Sequence, residues 1–319
     1  MISFQRNLPQ LEGDFFLTDG GLETTLIFHQ GMILPDFAAF VLLDRSGGAQ
    51  VLRDYYLSYA RIAERFGAGL VLEGPTWRAN SDWGARLGYD AMGLDSVNRR
   101  AIELLQSVRE ELDLPSSKVV VSGCVGPRGD GYVPGSTMSE VEALDYHRAQ
   151  ISSFARAEVD IVSAFTINYL EEAIGIVLAA KEREVPVTIS FTLETDGRLP
   201  TGQSLSSAID AVDEATERYA AYFQINCAHP SHFRPVLEED SHWVGRIRGI
   251  RANASCRSHA ELDDAADLDV GDPADLGVQY AELKVAFPAL TILGGCCGTD
   301  VRHVERIAEA CAPHFVGVA

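Results

Sequence analysis

The stretch DIVSAFTINYLEEAIGIVLAAKEREVPVTISF, residues 160–191, contains the unit that decides the fold. It begins with a short apolar run, continues through a longer helical pattern, and ends in a second short run rich in β-branched residues. Apolar runs of this length are typical of strands that are buried on both faces. The segment between them is long enough for a helical crossover. The stretch therefore predicts two parallel strands joined by a helix.

The same alternation extends along the chain in both directions. Predicted strands cover residues 15–18, 69–72, 118–122, 160–164, 187–191, 222–226, 245–250 and 290–293. Predicted helices cover residues 51–66, 92–112, 139–158, 170–184, 204–219, 231–239, 274–286 and 301–312. Eight such units in 319 residues favour an α/β fold closed into a (β/α)8 TIM barrel over an open doubly wound sheet.

No linker rich in Gly, Ser or Pro divides the chain, so we expect residues 1–319 to form a single barrel domain. The acidic stretch 254–273 has a loop-like composition and is interpreted as an excursion between the seventh strand and its helix. In such barrels the reacting groups lie on loops that follow the C-terminal ends of the strands. The residues after each predicted strand are therefore the candidates for a functional site.

Composition excludes several classes of function. A net charge of -20 argues against nucleic acid as a partner, because phosphates require a basic surface. The chain has no run of about 20 apolar residues and no apolar leader, so we expect no membrane association and a cytoplasmic location. In that reducing compartment the six cysteines would be thiols or metal ligands rather than a disulfide framework. A homo-oligomer is compatible with the sequence.

Three cysteines follow two of the predicted strands. Cys227 comes after the sixth strand, and Cys296 and Cys297 come after the eighth. Side chains of alternate barrel strands point inward together, so the three thiols can converge. Three thiolates bind Zn²⁺ tetrahedrally and leave one position open, as in catalytic sites. These residues are therefore the predicted zinc ligands, although buried thiols without a metal are the competing interpretation.

Glycines flank the paired cysteines. Gly294, Gly295 and Gly298 are predicted to supply the backbone freedom that lets two adjacent thiols face one ion. Cys124, just after the third strand, is a weaker candidate for a fourth ligand.

The motifs together resemble those of the homocysteine S-methyltransferase family. They are Asp19-Gly20-Gly21 after the first strand, Asn226-Cys227 after the sixth, and GGCCGT at residues 294–299. The resemblance extends over nearly the whole chain with the motifs in the expected order. It implies a zinc ion held by the three cysteines, with the homocysteine thiolate in the fourth position. It also implies that Asp19, Gly20 and Gly21 bind the amino acid end of homocysteine.

The resemblance extends to further loops. Glu73 and Thr76 look like part of the family's second loop, and with Asn226 they are predicted to bind substrate. Many members carry a glutamate after the fourth strand that binds the homocysteine ammonium, and Phe165 stands in its place. Phenylalanine accepts no hydrogen bond. Either Glu73, Glu194 or Asp19 takes over the ammonium, or the acceptor is a different thiol.

The sequence thus predicts methyl transfer from a sulfonium or quaternary ammonium donor to a small-molecule thiol, with homocysteine giving methionine as the leading case. Aromatic faces bind cations, so Trp77, Trp83 and Tyr132 are candidates for the donor site, with core packing as the alternative. A zinc hydrolase and a protein that only stores zinc are the competing classes. A donor supplied by a separate cobalamin protein also fits.

Overall fold

A computed structural model describes residues 8–238, 242–263 and 267–315 and contains a closed barrel of eight parallel strands. In chain order the strands are β1 Phe16–Leu17, β2 Gly69–Glu73, β3 Val119–Val125, β4 Ile161–Ile167, β5 Val187–Thr192, β6 Tyr222–Asn226, β7 Ile247–Ala252 and β8 Ile292–Gly295. Each strand pairs in parallel with the next, and β1 pairs with β8 to close the ring. The predicted (β/α)8 barrel is confirmed.

Helices connect the strands on the outside. They are α1 Gly48–Phe66, α2 Ser81–Arg86, α3 Ala91–Glu111, α4 Glu140–Arg156, α5 Leu170–Glu182, α6 Leu205–Ala215, α7 Pro230–Glu238, α8 His259–Asp263, α9 Pro273–Ala286 and α10 Val301–Cys311. The eight predicted helices are found close to their expected positions. The last residue of the predicted helix 231–239 lies outside the described residues.

Two short helices were not predicted. The helices α2 and α8 have six and five residues, which is too short to show a helical period. The helix α8 lies inside the stretch 254–273, which we expected to be a loop throughout. Residues 264–266 of that stretch lie outside the described part of the chain. The expectation of an irregular excursion is therefore only partly correct.

Buried apolar side chains fill two regions. The larger cluster lies between the strands and the surrounding helices. A smaller cluster sits towards the N-terminal ends of the strands and consists of Leu8, Phe16, Val71, Val120, Ile161, Tyr222 and Ile292. Because this cluster fills the N-terminal end of the barrel, open space is left at the C-terminal end. None of the helices in the described ranges has both the length and the apolar character of a membrane span.

Candidate active site

A cavity of about 380 Å³ opens at the C-terminal end of the barrel. Its lining includes most of the predicted site residues, namely Asp19, Gly20, Gly21, Glu73, Trp77, Tyr132, Phe165, Asn226, Cys227, Cys296 and Cys297. Thr76 lies behind the wall, where its hydroxyl donates to the carbonyl of Cys124 at 2.7 Å. Glu194 is also outside this cavity and lines a small neighbouring pocket. The fold therefore collects residues from loops that are far apart in sequence.

The three predicted zinc ligands meet at one point of the lining. The Sγ atoms of Cys227, Cys296 and Cys297 all lie within 4.8 Å of one another. Those of Cys227 and Cys297 are 3.8 Å apart. Sulfur ligands about 2.3 Å from a tetrahedral zinc ion are separated from each other by about 3.8 Å. The donor set and the spacing of Cys227 and Cys297 fit a zinc ion with one position left for a further ligand.

One pair of these sulfurs is joined in the structure. Cys227 and Cys296 form a disulfide between the loops after β6 and β8, whereas the sequence predicted thiols. Zinc ligands must be thiolates, so the disulfide and a three-cysteine zinc site are alternative states of the same residues. Cys124 is buried and stands outside the cluster found among the described residues.

The three glycines beside the paired cysteines were predicted to supply backbone freedom, and the structure supports this for one of them. Of the three, only Gly298 has a positive φ, at 77°. Gly294 and Gly295 are instead required by close packing, because a Cβ atom there would collide with the side chains of Thr18 and Thr299 respectively. Cys227 itself has a φ of 52°, a conformation that residues other than glycine seldom adopt. The unusual backbone therefore belongs to Cys227, directly after β6.

The first loop packs directly against the paired cysteines. A Cβ on Gly21 would come within 2.7 Å of the carbonyl oxygen of Cys296. The N–H of Gly21 donates to the carbonyl of Thr299 at 3.1 Å. The N–H of Gly295 donates to the carbonyl of Asp19 at 2.9 Å. These contacts place the Asp19 loop beside the sulfur cluster, and Gly21 must be a glycine because the two loops approach so closely.

Asn226 holds the neighbouring strand end. Its Oδ1 accepts from the N–H of Thr166 at 2.9 Å, and its Nδ2 donates to the Thr166 hydroxyl at 2.9 Å. The same Nδ2 lies 3.8 Å from the Sγ of Cys296. The Thr166 hydroxyl lies 3.9 Å from the Sγ of Cys227. Sequence reasoning missed Thr166, which has a positive φ of 61° at an irregularity in β4 that no local pattern indicates.

Tyr132 and His259 form a layer around the cluster. The Tyr132 hydroxyl lies 3.3 Å from the Sγ of Cys297, and the ring stacks on His259 with centroids 4.0 Å apart. His259 Nε2 lies 2.6 Å from the carbonyl of Cys227, and its Nδ1 is 3.3 Å from Glu194. Glu194 therefore contacts the site through His259. His259 was missed because it belongs to α8, in the stretch interpreted as a loop.

A buried ion pair occupies the floor of the cavity. Arg251, at the end of β7, donates to Asp19 Oδ1, and Tyr55 donates to Asp19 Oδ2 at 2.9 Å. Burial raises the pKa of Asp19, while the charge of Arg251 acts in the opposite direction. Burial alone would lower the pKa of Arg251, but the charges of Asp19 and Glu73 outweigh it and raise that pKa. Asp19 therefore already has a cation beside it. Arg251 was not singled out from the sequence.

Glu73 lies at the C-terminal end of β2 and is only 5% exposed. Its Oε1 accepts from the Ser163 hydroxyl at 3.3 Å. Its Oε2 is buried without a hydrogen-bond partner in the described structure. Burial raises the pKa of Glu73 to about 7, although Arg251 lowers it. Phe165 is also buried, with its ring centroid 4.8 Å from the Arg251 guanidinium carbon.

The two tryptophans proposed for the donor site, Trp77 and Trp83, contact arginine side chains in the structure. The Arg78 guanidinium lies 4.2 Å from the ring centroid of Trp77 and 3.7 Å from that of Trp83. Arg86 lies 4.5 Å from the Trp83 centroid. The Trp77 indole N–H donates to the carbonyl of Phe165 at 3.2 Å. Arginine side chains thus already lie against both tryptophans.

Among the charged side chains of the cavity lining, carboxylates outnumber guanidinium groups. The carboxylates are Asp19, Glu23, Glu73, Asp130, Asp267 and Asp269, against which stand the guanidinium groups of Arg78 and Arg251. A concave surface lined mostly by one sign of charge concentrates ligands of the opposite sign. The cavity is therefore suited to cationic small molecules.

These features define a (β/α)8-barrel enzyme with a cysteine-rich site at the C-terminal end of the barrel. The chain belongs to the homocysteine S-methyltransferase family, because the sequence model of that family matches residues 16–311. It is therefore a methyltransferase of this family.

Named relatives agree with this assignment. The chain is 26% identical to homocysteine S-methyltransferase YbgG of Bacillus subtilis (strain 168), over 69% of this chain and 74% of the relative. It is 22% identical to homocysteine S-methyltransferase 1 of Arabidopsis thaliana, over 93% of both chains.

Solved structures share the fold. The oxidized form of the homocysteine methyltransferase MmuM from Escherichia coli superposes with a TM-score of 0.75 at 21% identity, over 95% of this chain and 99% of that one. The metallated form of the same enzyme gives a TM-score of 0.73 at 20% identity, with the same coverage. At these identities the likeness establishes the fold.

Proposed function

We propose that this protein is a zinc-dependent methyltransferase that moves a methyl group from a sulfonium or quaternary ammonium donor to a thiol, with homocysteine as the leading acceptor and methionine as its product. The observation that carries the proposal is the convergence of Cys227, Cys296 and Cys297 at one point of the cavity lining. The family assignment supports the acceptor.

Bound at the three cysteines, zinc would supply the Lewis acidity that keeps an acceptor thiol ionised near neutral pH, where a free thiol of pKa about 8.5 is mostly protonated. The chain's own residues hold the sulfurs in place. Asn226 fixes Thr166 and approaches Cys296, while the Tyr132 hydroxyl approaches Cys297. Donors that point at a thiolate sulfur orient it and adjust its charge.

The rest of the cavity suits the second substrate. The excess of carboxylates in the lining favours a donor that carries a positive charge. Methyl transfer needs little more than a thiolate and a methyl carbon held in line, so catalysis here depends mainly on positioning. Residues at the C-terminal ends of seven of the eight strands line the cavity. They restrict the orientations that the two substrates can adopt.

Zinc analysis and a methyl transfer assay test the proposal. Reduced protein should hold about one zinc ion per chain and should methylate homocysteine from S-methylmethionine or betaine. Cys297→Ser should lose most of the zinc and the activity. Cys256→Ser is the matched control, because Cys256 is exposed and outside the cluster. Full zinc and full activity in Cys297→Ser would show that the three-cysteine assignment is wrong.

A different thiol acceptor is the second candidate. It is favoured by Phe165, which accepts no hydrogen bond, and by Arg251, which already occupies Asp19. Transfer to another thiol, with none to homocysteine under the same conditions, would support it.

A further inference from the structure

The cavity floor holds two buried carboxyl groups, Asp19 and Glu73, and one guanidinium group, that of Arg251. Asp19 is paired with Arg251 and also accepts from Tyr55, so both of its carboxylate oxygens are occupied. Arg251 also donates from Nη2 to the carbonyl of Gly20 at 3.2 Å and from Nε to the carbonyl of Gly295 at 3.0 Å. None of the hydrogen bonds among the described residues joins Arg251 to Glu73, although the two charges attract each other.

Glu73 is the carboxylate that remains. It accepts a weak hydrogen bond from Ser163 at 3.3 Å, has the Ser122 hydroxyl as a second neighbour, and keeps one buried oxygen without a partner in the described structure. It lines the cavity that also contains the sulfur cluster. A buried acceptor left unsatisfied destabilises the protein, and a charged one does so more strongly. A ligand that donates hydrogen bonds and brings one positive charge would remove this destabilisation.

Two other acidic candidates are placed less well for a ligand at the sulfur cluster. Glu194 lies outside the cavity and contacts His259. Asp269 accepts from Ser255 at 2.7 Å and from the N–H of Gly271 at 3.0 Å. Among the described lining residues, Glu73 combines deep burial with an oxygen that has no partner.

We propose that Glu73 binds an ammonium group of the thiol acceptor, and hence that the acceptor is an amino thiol; this rests on the proposed methyl transfer to a thiol. With the acceptor bound, the floor holds two carboxylates, one guanidinium and one ammonium, and its charges balance. Phe165 contributes an apolar wall for the methylene groups between the ammonium and the sulfur. Specificity then comes from a buried acceptor that a thiol without an ammonium leaves unpaired.

Calorimetric titration of the zinc-loaded protein with two thiols tests this assignment. The thiols are homocysteine and 4-mercaptobutanoate, which has the same skeleton without the amino group. Wild-type protein should bind homocysteine at least about 10-fold more tightly. Glu73→Gln should weaken homocysteine binding by about 10- to 100-fold and leave 4-mercaptobutanoate binding equal or tighter. Glu73→Asp, which keeps the charge, should retain part of the preference.

Glu309→Gln is the matched control, since it makes the same chemical change at an exposed residue outside the cavity and should keep the wild-type ratio of affinities. An unchanged ratio in Glu73→Gln overturns the assignment even if methyl transfer to homocysteine is observed, so the proposed function would survive alone. Equal affinity of the wild type for the two thiols also overturns it. If the wild type binds neither thiol, both the assignment and the proposed function fail.

Discussion

Arg251 and Asp19 form a buried ion pair at the floor of the cavity, joining the end of β7 to the loop after β1. The two side chains are only 9% and 8% exposed. Asp19 also receives the N–H of Gly295 on its carbonyl, so the pair connects the first loop to the strand that precedes the paired cysteines. The position of the sulfur cluster therefore depends partly on a salt bridge across the barrel.

Removal of the Arg251 charge should destabilise the protein strongly. Arg251→Met leaves Asp19 buried without its cation, and loss of one member of a buried pair costs about 3–5 kcal/mol. Arg65→Met, in an exposed pair with Glu305, should cost less than about 1 kcal/mol. Urea denaturation of the two variants measures the difference. Similar free energies of unfolding would mean that the Arg251–Asp19 pair contributes little.

Stability should depend on pH through Glu73. Burial raises its pKa to about 7, so the native state binds a proton more strongly than the unfolded chain does. This contribution is fully present below the unfolded pKa and is lost as the pH rises through about 7. The difference amounts to about 3 kcal/mol at most.

Comparison of wild type with Glu73→Gln isolates that contribution, because the amide does not titrate. In the absence of substrates, Glu73→Gln should gain stability relative to wild type between pH 5 and pH 8. Denaturation curves at several pH values measure the gain. A difference that stays constant across this range would show that Glu73 has an ordinary pKa.

Tyr132→Phe should weaken zinc binding. The change removes the hydroxyl that lies 3.3 Å from the Sγ of Cys297 but keeps the ring that stacks on His259. Loss of a group that orients a metal ligand typically costs 10- to 100-fold in metal affinity. Competition with a chelator measures the loss. Tyr146→Phe serves as the control, because its hydroxyl bonds to Asn80 outside the cavity, and its zinc affinity should match wild type.

Gly295→Ala should disrupt the cysteine loop. A Cβ at this position collides with the Thr299 side chain, so β8 must shift or Thr299 must move. We expect a loss of about 1–3 kcal/mol in stability together with lower zinc content. Gly245→Ala has open space around the new Cβ and should be nearly neutral. Wild-type zinc content in Gly295→Ala would contradict this role for the glycine.

Local patterns in the sequence were sufficient for the barrel. Short apolar runs alternate with helical periods, as in residues 160–191, and this pattern indicates strands that are buried on both faces. The order of the elements then limits the possible topologies. The three cysteines were also predictable, because residues that follow parallel strands meet at one end of the barrel. Short elements such as α8 have too few residues to show a period.

The sequence by itself thus determined the fold, the rim on which the site lies and the three cysteines that meet there. Only the tertiary structure decided how their charges pair. Asp19 was one of three candidates for binding a substrate ammonium, yet it contacts Arg251, which is 232 residues away in sequence. The oxygen that Glu73 leaves without a partner is equally invisible in the sequence. Burial and charge pairing depend on three-dimensional neighbours, and periodicity carries no information about them.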